Sequence, residues 1–454
     1  MSNQLFDEFN SVSAKQWKQK IQFDLKGADY NDALIWNTNE DIDVKPFYHA
    51  DDFKDFPEIL NTKSTPWKIC QSIFVANTKK SNLNAIDVIE RGAESIKFII
   101  PSEDVPIEDL LKNIDLDKIP IYFELQFLSE DIAKKIATIS AKAGIHIQTD
   151  IIGNLAKNGN FFYNFNEDFS KFQSITKHTN SFSVDVSLYQ NAGANMVQQV
   201  AYAMAHANEY LNQLPNKNNE TFQANFNVAI GTNYFFEIAK LRALRILWSV
   251  LALEYNINSD CHIIASPSKR NKTLYDYNSN MLRTTTECMS AILGGANTIC
   301  NLPYDAVYHK NNEFGERIAR NQLLVLKHES YFDKVDNPTD GTYYIETLTN
   351  QLSEKALDLF KDIEKNDGFL KQLKEGTIQR KIKESALKEQ QQFDTGEEVL
   401  LGTNIHPNAN DKMKDELEIY PFVKINQRKT LIEPVIEKRL SETLEQVRLK
   451  NEKQ

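Results

Sequence analysis

The 454-residue chain sets 52 Lys and Arg against 63 Asp and Glu, a formal net charge of −11 at pH 7, which leaves no basic face for a nucleic-acid backbone. With 41% hydrophobic residues and no apolar run of about 18 residues, nothing in it reads as a membrane span. The length exceeds one ordinary core, so a large domain with extensions, or two domains, is expected.

The start, Met1-Ser2-Asn3-Gln4-Leu5-Phe6-Asp7-Glu8, is polar and acidic and lacks a signal-peptide core. Ser13 is placed to cap a helix in which Ala14, Trp17 and Ile21 share a face, ending at Gly27. Trp36, Pro46, Phe47 and Tyr48 follow in an extended arm, where aromatics pack on the domain or on a partner chain. Eight short apolar runs come next: Ile69–Phe74, Ile96–Ile100, Ile119–Leu125, Ile145–Ile151, Phe182–Val186, Ala224–Ile230, His262–Ser266 and Asn297–Cys300. They are β-branched or aromatic, as buried parallel strands should be. Amphipathic stretches alternate with them: Ser81–Ala93, Ser129–Ala143, Asn195–Leu214, Tyr234–Tyr255, Asn280–Leu293 and Phe314–His328. After Glu346 the pattern predicts helices Asn350–Ile363 and Gly368–Lys388, an extended polar segment from Gly402 to Lys424, and a last helix, Pro434–Lys450.

The pattern predicts an α/β fold, a (β/α)8 TIM barrel over 65–349, with an N-terminal helix and arm over 1–64 and a C-terminal helical and extended extension over 350–454. A doubly wound sheet would place a Gly-rich loop after its first strand. Here Val75-Ala76-Asn77-Thr78-Lys79-Lys80 follows, without glycine. Cys70, Cys261, Cys288 and Cys300 are far apart with no Cys-x-x-Cys, which suits buried free thiols in a cytoplasmic protein. Polar residues close several strands: Gln148 and Asp150 on the fourth, Asp185 and Ser187 on the fifth, Asn233 after the sixth. They either line a substrate channel or cap helices and loops. His206 reads as a surface or packing residue, and Arg317 with Arg320 as an ion-pair face on one helix.

Several motifs fall in the order found in one family. Gln190-Asn191-Ala192-Gly193-Ala194 resembles the Gln-Glu-Ala-Gly-Ala of methylmalonyl-CoA mutases. Phe235-Phe236-Glu237-Ile238-Ala239-Lys240-Leu241-Arg242-Ala243, Arg317-Ile318-Ala319-Arg320-Asn321 with Glu329-Ser330, and Gly341-Thr342-Tyr343-Tyr344-Ile345-Glu346 are similar to further motifs of that family. Asp24-Leu25-Lys26-Gly27 and Pro66-Trp67-Lys68-Ile69 also fit.

The departures are concentrated where the family does its chemistry. By the resemblance, Ser187-Leu188 stands where catalytic subunits have a Tyr-His step, and leucine cannot donate to a thioester carbonyl. Ile264-Ala265-Ser266 replaces a His-Cys-Gln run. The segment Glu58–Thr65 lacks the family's tyrosine and arginine, and no arginine occurs between Arg91 and Arg242, although a carboxylate is best gripped bidentately by a guanidinium. No histidine has a glycine three residues later, so the cobalt-ligating Asp-x-His-x-x-Gly is absent, and the sequence ends where the family's cobalamin-binding domain would begin. The resemblance therefore implies a small, non-catalytic subunit with no catalytic residue of its own. Ser187, Leu188, Ile264 and Ser266 are degenerate positions, and Gln148, Asp150, Gln190 and Asn233 form a vestigial substrate channel. It further implies a heterodimer with a large subunit that holds adenosylcobalamin and acts on an acyl-CoA. A residual mutase served by a separate cobalamin chain, and a CoA-binding regulatory barrel, are the alternatives.

Overall fold

The computed structural model describes residues 8–53, 62–139, 144–214, 221–424 and 426–452. Two short antiparallel strands, β1 (Trp36–Asn37) and β2 (Asp43–Val44), belong to the arm. Eight parallel strands follow: β3 (Lys68–Phe74), β4 (Ser95–Ile100), β5 (Ile121–Leu125), β6 (Ile145–Gln148), β7 (Ser181–Asp185), β8 (Gln223–Ile230), β9 (Cys261–Pro267) and β10 (Thr298–Cys300). Their ladder runs β6-β5-β4-β3-β10-β9-β8-β7, so the first and last barrel strands pair and the sheet nearly closes. Side chains bridge the remaining seam between β6 and β7. Ser183 Oγ donates to the Thr149 carbonyl at 3.1 Å, and the Asp185 amide donates to Asp150 Oδ2 at 2.7 Å. This is the predicted (β/α)8 barrel, with all eight strand positions found.

Phe98, Phe123, Phe182 and Phe226 turn outward from alternate strand positions and are buried under the helices in one continuous core. The helices Met196–Gln213 and Tyr234–Glu254 carry the densest packing. Asn195 caps the first through a capping box with Gln198. Helix Glu130–Ile139 covers the start of the predicted Ser129–Ala143; residues 140–143 lie outside the described residues.

Other elements differ from the sequence pattern. β6 ends at Gln148 rather than Ile151, because Asp150 caps a new helix, Ile151–Asn158, by accepting from the Gly153 amide at 2.6 Å. A second unpredicted helix, Phe165–Thr179, follows. The link from β4 to β5 has only the four-residue helix Ile107–Leu110, between Pro101, Pro106 and Pro120. The helix predicted to begin at Asn350 spans Tyr343–Lys365. The one predicted over Gly368–Lys388 is two, Gly368–Lys374 and Thr377–Thr395, divided where Gly376 adopts φ +80°. The final helix is only Glu442–Asn451. The amides of Leu431, Ile432, Val435, Lys438 and Leu440 are taken instead by barrel-loop carbonyls, so 431–440 is an extended strap.

The arm divides into two faces. Ile42 is buried with Met196, Phe236, Ala239, Leu348 and Leu352, and Tyr48 packs on Tyr344 with ring centroids 5.1 Å apart. On the other side Phe23 is 79% exposed and Trp17 45%.

Arg242 fastens the helix that follows β8 to the start of Tyr343–Lys365. Its fully buried guanidinium pairs with Asp340, with Glu346 at 2.6 Å and with Thr349 at 3.2 Å. Removing one partner of a buried pair strands the other charges out of water. Arg242→Met is expected to lower unfolding free energy by roughly 3–5 kcal/mol in denaturant titration; a loss under about 1 kcal/mol would show the cluster to be dispensable.

Candidate functional site

The lumen of this barrel is unusually polar. Strand alternation turns Tyr122 and Glu124 of β5, His146 and Gln148 of β6, Asn227 of β8, His262 and Ile264 of β9, and Thr298 and Cys300 of β10 inward. Barrel interiors are ordinarily packed with branched apolar residues. Here three rings cross the axis in a stack, with centroid separations of 5.0 Å for Tyr122–His146, 4.9 Å for His146–His262 and 5.6 Å for Tyr122–His262. The Tyr122 hydroxyl is hydrogen-bonded to His262 Nε2 at 3.0 Å and to Thr298 Oγ1 at 2.8 Å. Burial lowers the pKa of His146 to about 4. It takes His262 well below its ordinary value too, helped by His146 and Arg245, so both imidazoles are neutral near pH 7.

Above the rings Lys97 Nζ lies 2.6 Å from Glu124 Oε2. Burial alone would discharge both groups. Their mutual attraction outweighs it, raising the Lys97 pKa and lowering that of Glu124. Gln148 Nε2 donates to Asn227 Oδ1 at 2.9 Å across the β6/β8 side. Most of these lumen groups pair with one another, while Gln148 Oε1 and Asn225 Oδ1 are left without a partner among the described residues.

The predicted site residues separate into different environments. Asp150 sits in a buried network behind β6 and β7. It accepts from the Tyr210 hydroxyl at 2.6 Å and lies 3.0 Å from His206 Nε2, while His206 Nδ1 meets the Tyr189 hydroxyl at 2.9 Å. Those hydrogen bonds and the His206 charge outweigh burial and hold the Asp150 pKa below its ordinary value. His206 is therefore wholly buried, not on the surface, and its partners lie far from it in sequence. Gln190 bonds to Glu237 at 3.1 Å and accepts from Lys240 Nζ at 2.9 Å; Lys240 also reaches Glu237 at 2.5 Å. Two of the sequence motifs thus meet in one buried ion-pair cluster. Gly193 belongs there by necessity: its φ is +98°, and a Cβ would stand 2.5 Å from that of Ala386. Gln190 and Asn233 line one cleft of about 150 Å³ closed by Trp36–Glu40 of the arm. Gln148 is bonded separately in the lumen.

Ser187, Leu188, Ile264 and Ser266 make structural contacts. Leu188 is 2% exposed in the main core. Ser187 Oγ donates to Asp185 Oδ1 at 2.5 Å. Ile264 packs against Cys70, Tyr122 and Cys300, and Ser266 lies in β9 beside Ala229 of β8. Arg317 and Arg320 make no ion-pair face among the described residues. Arg320 turns inward to Gln71 at 3.3 Å and Arg317 lies over the Phe314 ring.

TIM-barrel sites open at the C-terminal ends of the strands. The strap 431–440 runs across that face. The Leu431 and Ile432 amides donate to the Gly159 carbonyl, Val435 to Ala156, Lys438 to Asn191 and Leu440 to Arg270, at 2.7–3.1 Å. Arg270 returns a bond to the Lys438 carbonyl at 2.8 Å. The loops after β6, β7 and β9 are therefore tied together by the chain's own extension. No cluster of three or more His, Cys, Asp or Glu suited to a metal occurs among the described residues. No helix among them is long and apolar enough to cross a membrane.

The neutral ring stack has a pH signature. A histidine whose folded pKa is depressed gives stability that is present above about 6.5 and lost as pH falls through about 4. Wild-type stability should fall by on the order of 2 kcal/mol across that window, and His146→Phe, which keeps a ring in the stack, should flatten that slope in urea titrations at several pH values. Superimposable acid limbs would show that His146 is not held neutral.

Comparison with known proteins agrees with this architecture. The family model described as methylmalonyl-CoA mutase matches residues 102–451. The methylmalonyl-CoA mutase small subunit of Porphyromonas gingivalis is 33% identical over 454 residues, covering 91% of this chain and 73% of that protein. The methylmalonyl-CoA mutase of Rhizobium meliloti is 28% identical over 89% of this chain and 65% of its own length. The small subunit from Streptomyces virginiae is 26% identical over 89% and 72%. With the predicted barrel in place and the motifs meeting in its buried clusters, the chain belongs to the methylmalonyl-CoA mutase family.

Proposed function

We propose that this chain is the small, non-catalytic subunit of a heterodimeric methylmalonyl-CoA mutase. In this reading the complex interconverts methylmalonyl-CoA and succinyl-CoA in the cytoplasm. A large subunit holds adenosylcobalamin, which supplies the radical chemistry, and carries the catalytic residues. The present chain stabilises that subunit through a broad interface and has no catalytic residue of its own. The domain division is arm, barrel and extension, at 1–64, 65–349 and 350–454.

The observation that carries the reading is the Tyr122–His146–His262 stack across the barrel axis. An acyl-CoA held inside the barrel needs that volume, and the Lys97–Glu124 pair above it leaves no free cation for a carboxylate. The buried Leu188 and the strap over the mouth support the same reading. Co-expression with an untagged large subunit tests it. The two chains should copurify in equal amounts with mutase activity, and the present chain alone should have none. Failure to copurify would overturn the partnership, and activity of the isolated chain would overturn its non-catalytic role.

Restoring one group should not restore catalysis, because groups that act as a unit contribute non-additively. Leu188→His, supplied with adenosylcobalamin and methylmalonyl-CoA, is expected to show no turnover; measurable succinyl-CoA formation would contradict the loss of several catalytic groups.

The outward face of the arm is assigned to the partner interface, since exposed aromatics serve as interface anchors. Phe23 is 79% exposed, and Lys20 Nζ lies over its ring at 5.5 Å from the centroid. Phe23→Asp should leave the melting temperature of the isolated chain within about 2 °C while weakening heterodimer affinity by roughly 30-fold or more. Unchanged affinity by calorimetry would remove the arm from the interface.

A further inference from the structure

Cys70 and Cys300 are direct neighbours in the ladder, on the parallel strands β3 and β10 that close the barrel. Paired residues on adjacent strands lie about 4.8 Å apart, within the roughly 4.4–6.8 Å between Cα atoms that a disulfide spans. Both side chains point into the lumen, where they pack with Tyr122 and Ile264. The other cysteines are placed differently. Cys261 pairs in register with Ala224, and Cys288 lies on the helix Ser279–Leu293. The lumen pair thus combines two thiols in register, a lysine and a serine hydroxyl close by, and a mechanical position at the barrel closure.

We propose that Cys70 and Cys300 form a redox-active dithiol that closes to a disulfide inside the barrel when the chain meets a peroxide.

Cys300 is the attacking thiol. The neighbouring Cys70 thiol is the largest influence drawing its pKa below the ordinary value; burial opposes it, and Lys97 and the Ser266 hydroxyl assist. Burial instead raises Cys70 well above its ordinary value, and Cys261 to about 11. The thiolate of Cys300 attacks one peroxide oxygen. The O–O bond breaks, hydroxide leaves, and Cys300 becomes a sulfenic acid. Cys70 then attacks the Cys300 sulfur, its proton goes to the departing hydroxyl, and water leaves as the S–S bond forms. Two thiols are oxidised by two electrons, and one hydrogen peroxide is reduced to two waters. Hydrogen peroxide is scarcely larger than water, so it reaches groups that are 4% and 7% exposed where a larger oxidant would not. The bond covalently joins the first and last strands of the barrel.

The test uses the full-length native chain and hydrogen peroxide as the oxidant. After treatment, quenching and denaturation, remaining thiols are alkylated and counted by intact mass. The chain has four free cysteines. Two alkylations in place of four are expected, with a tryptic species joining the Cys70 and Cys300 peptides and recovery of all four by dithiothreitol. In Cys70→Ser, dimedone should label Cys300 at least 5-fold more than in wild type, because the resolving thiol is gone. Four alkylations after peroxide, or a disulfide joining any other pair, would overturn the proposal. Equal dimedone labelling of the two proteins would overturn the resolving role of Cys70. The wild-type mass result decides the pairing even where Cys70→Ser fails to fold.

Discussion

A polar group that points into a barrel has left water, and it must find a partner across the axis or from the next strand. That constraint shapes this molecule. Tyr122 spans from β5 to His262 and Thr298 on the opposite wall, Lys97 pairs with Glu124, and Gln148 with Asn227. The tyrosine and glutamine bonds fix the distance between strands that do not touch in the ladder, while Lys97–Glu124 ties the neighbours β4 and β5. The rings stack because neutral imidazoles and a phenol can lie face to face where charged ones would repel. A lumen completed in this way behaves as a core, although its composition is that of a site.

The two sets of family motifs are distributed in a way that fits this division. Residues that match the family motifs, Gln190, Glu237, Lys240, Arg242 and Glu346, form ion-pair clusters behind the barrel wall. They hold helices to strands whatever the lumen contains. Residues that depart from the motifs, Ser187, Leu188, Ile264 and Ser266, lie on or near the lumen and its mouth. The strap 431–440 binds to the loops around the mouth by main-chain amides, a mode that asks little of the loop side chains.

Much of the fold was legible in the sequence because buried strands are short, apolar and evenly spaced. The helices Ile151–Asn158 and Phe165–Thr179 were not, since the first begins at the last residue of what reads as one strand, Ile145–Ile151. Only the cap by Asp150 shows that the strand has ended. The strap was hidden for the opposite reason. Val435, Leu440, Leu444 and Val447 have helical spacing, yet Val435 is buried in the main core and Leu440 against Phe393 and Leu400 of the extension, both ahead of the helix. The ring stack could not be read at all, because Tyr122, His146 and His262 are brought together by register and curvature. Of the two readings of His206, surface or packing, the structure takes the buried one, and nothing local signals its partner Asp150, 56 positions away.

The central claim is that the lumen is closed to an acyl-CoA, and direct calorimetric titration of the isolated chain with succinyl-CoA tests it. The filled axis predicts no binding heat up to millimolar ligand, with normal binding by the large subunit under the same conditions. Stoichiometric micromolar binding to this chain, abolished by filling the lumen further with Ser72→Phe, would contradict it.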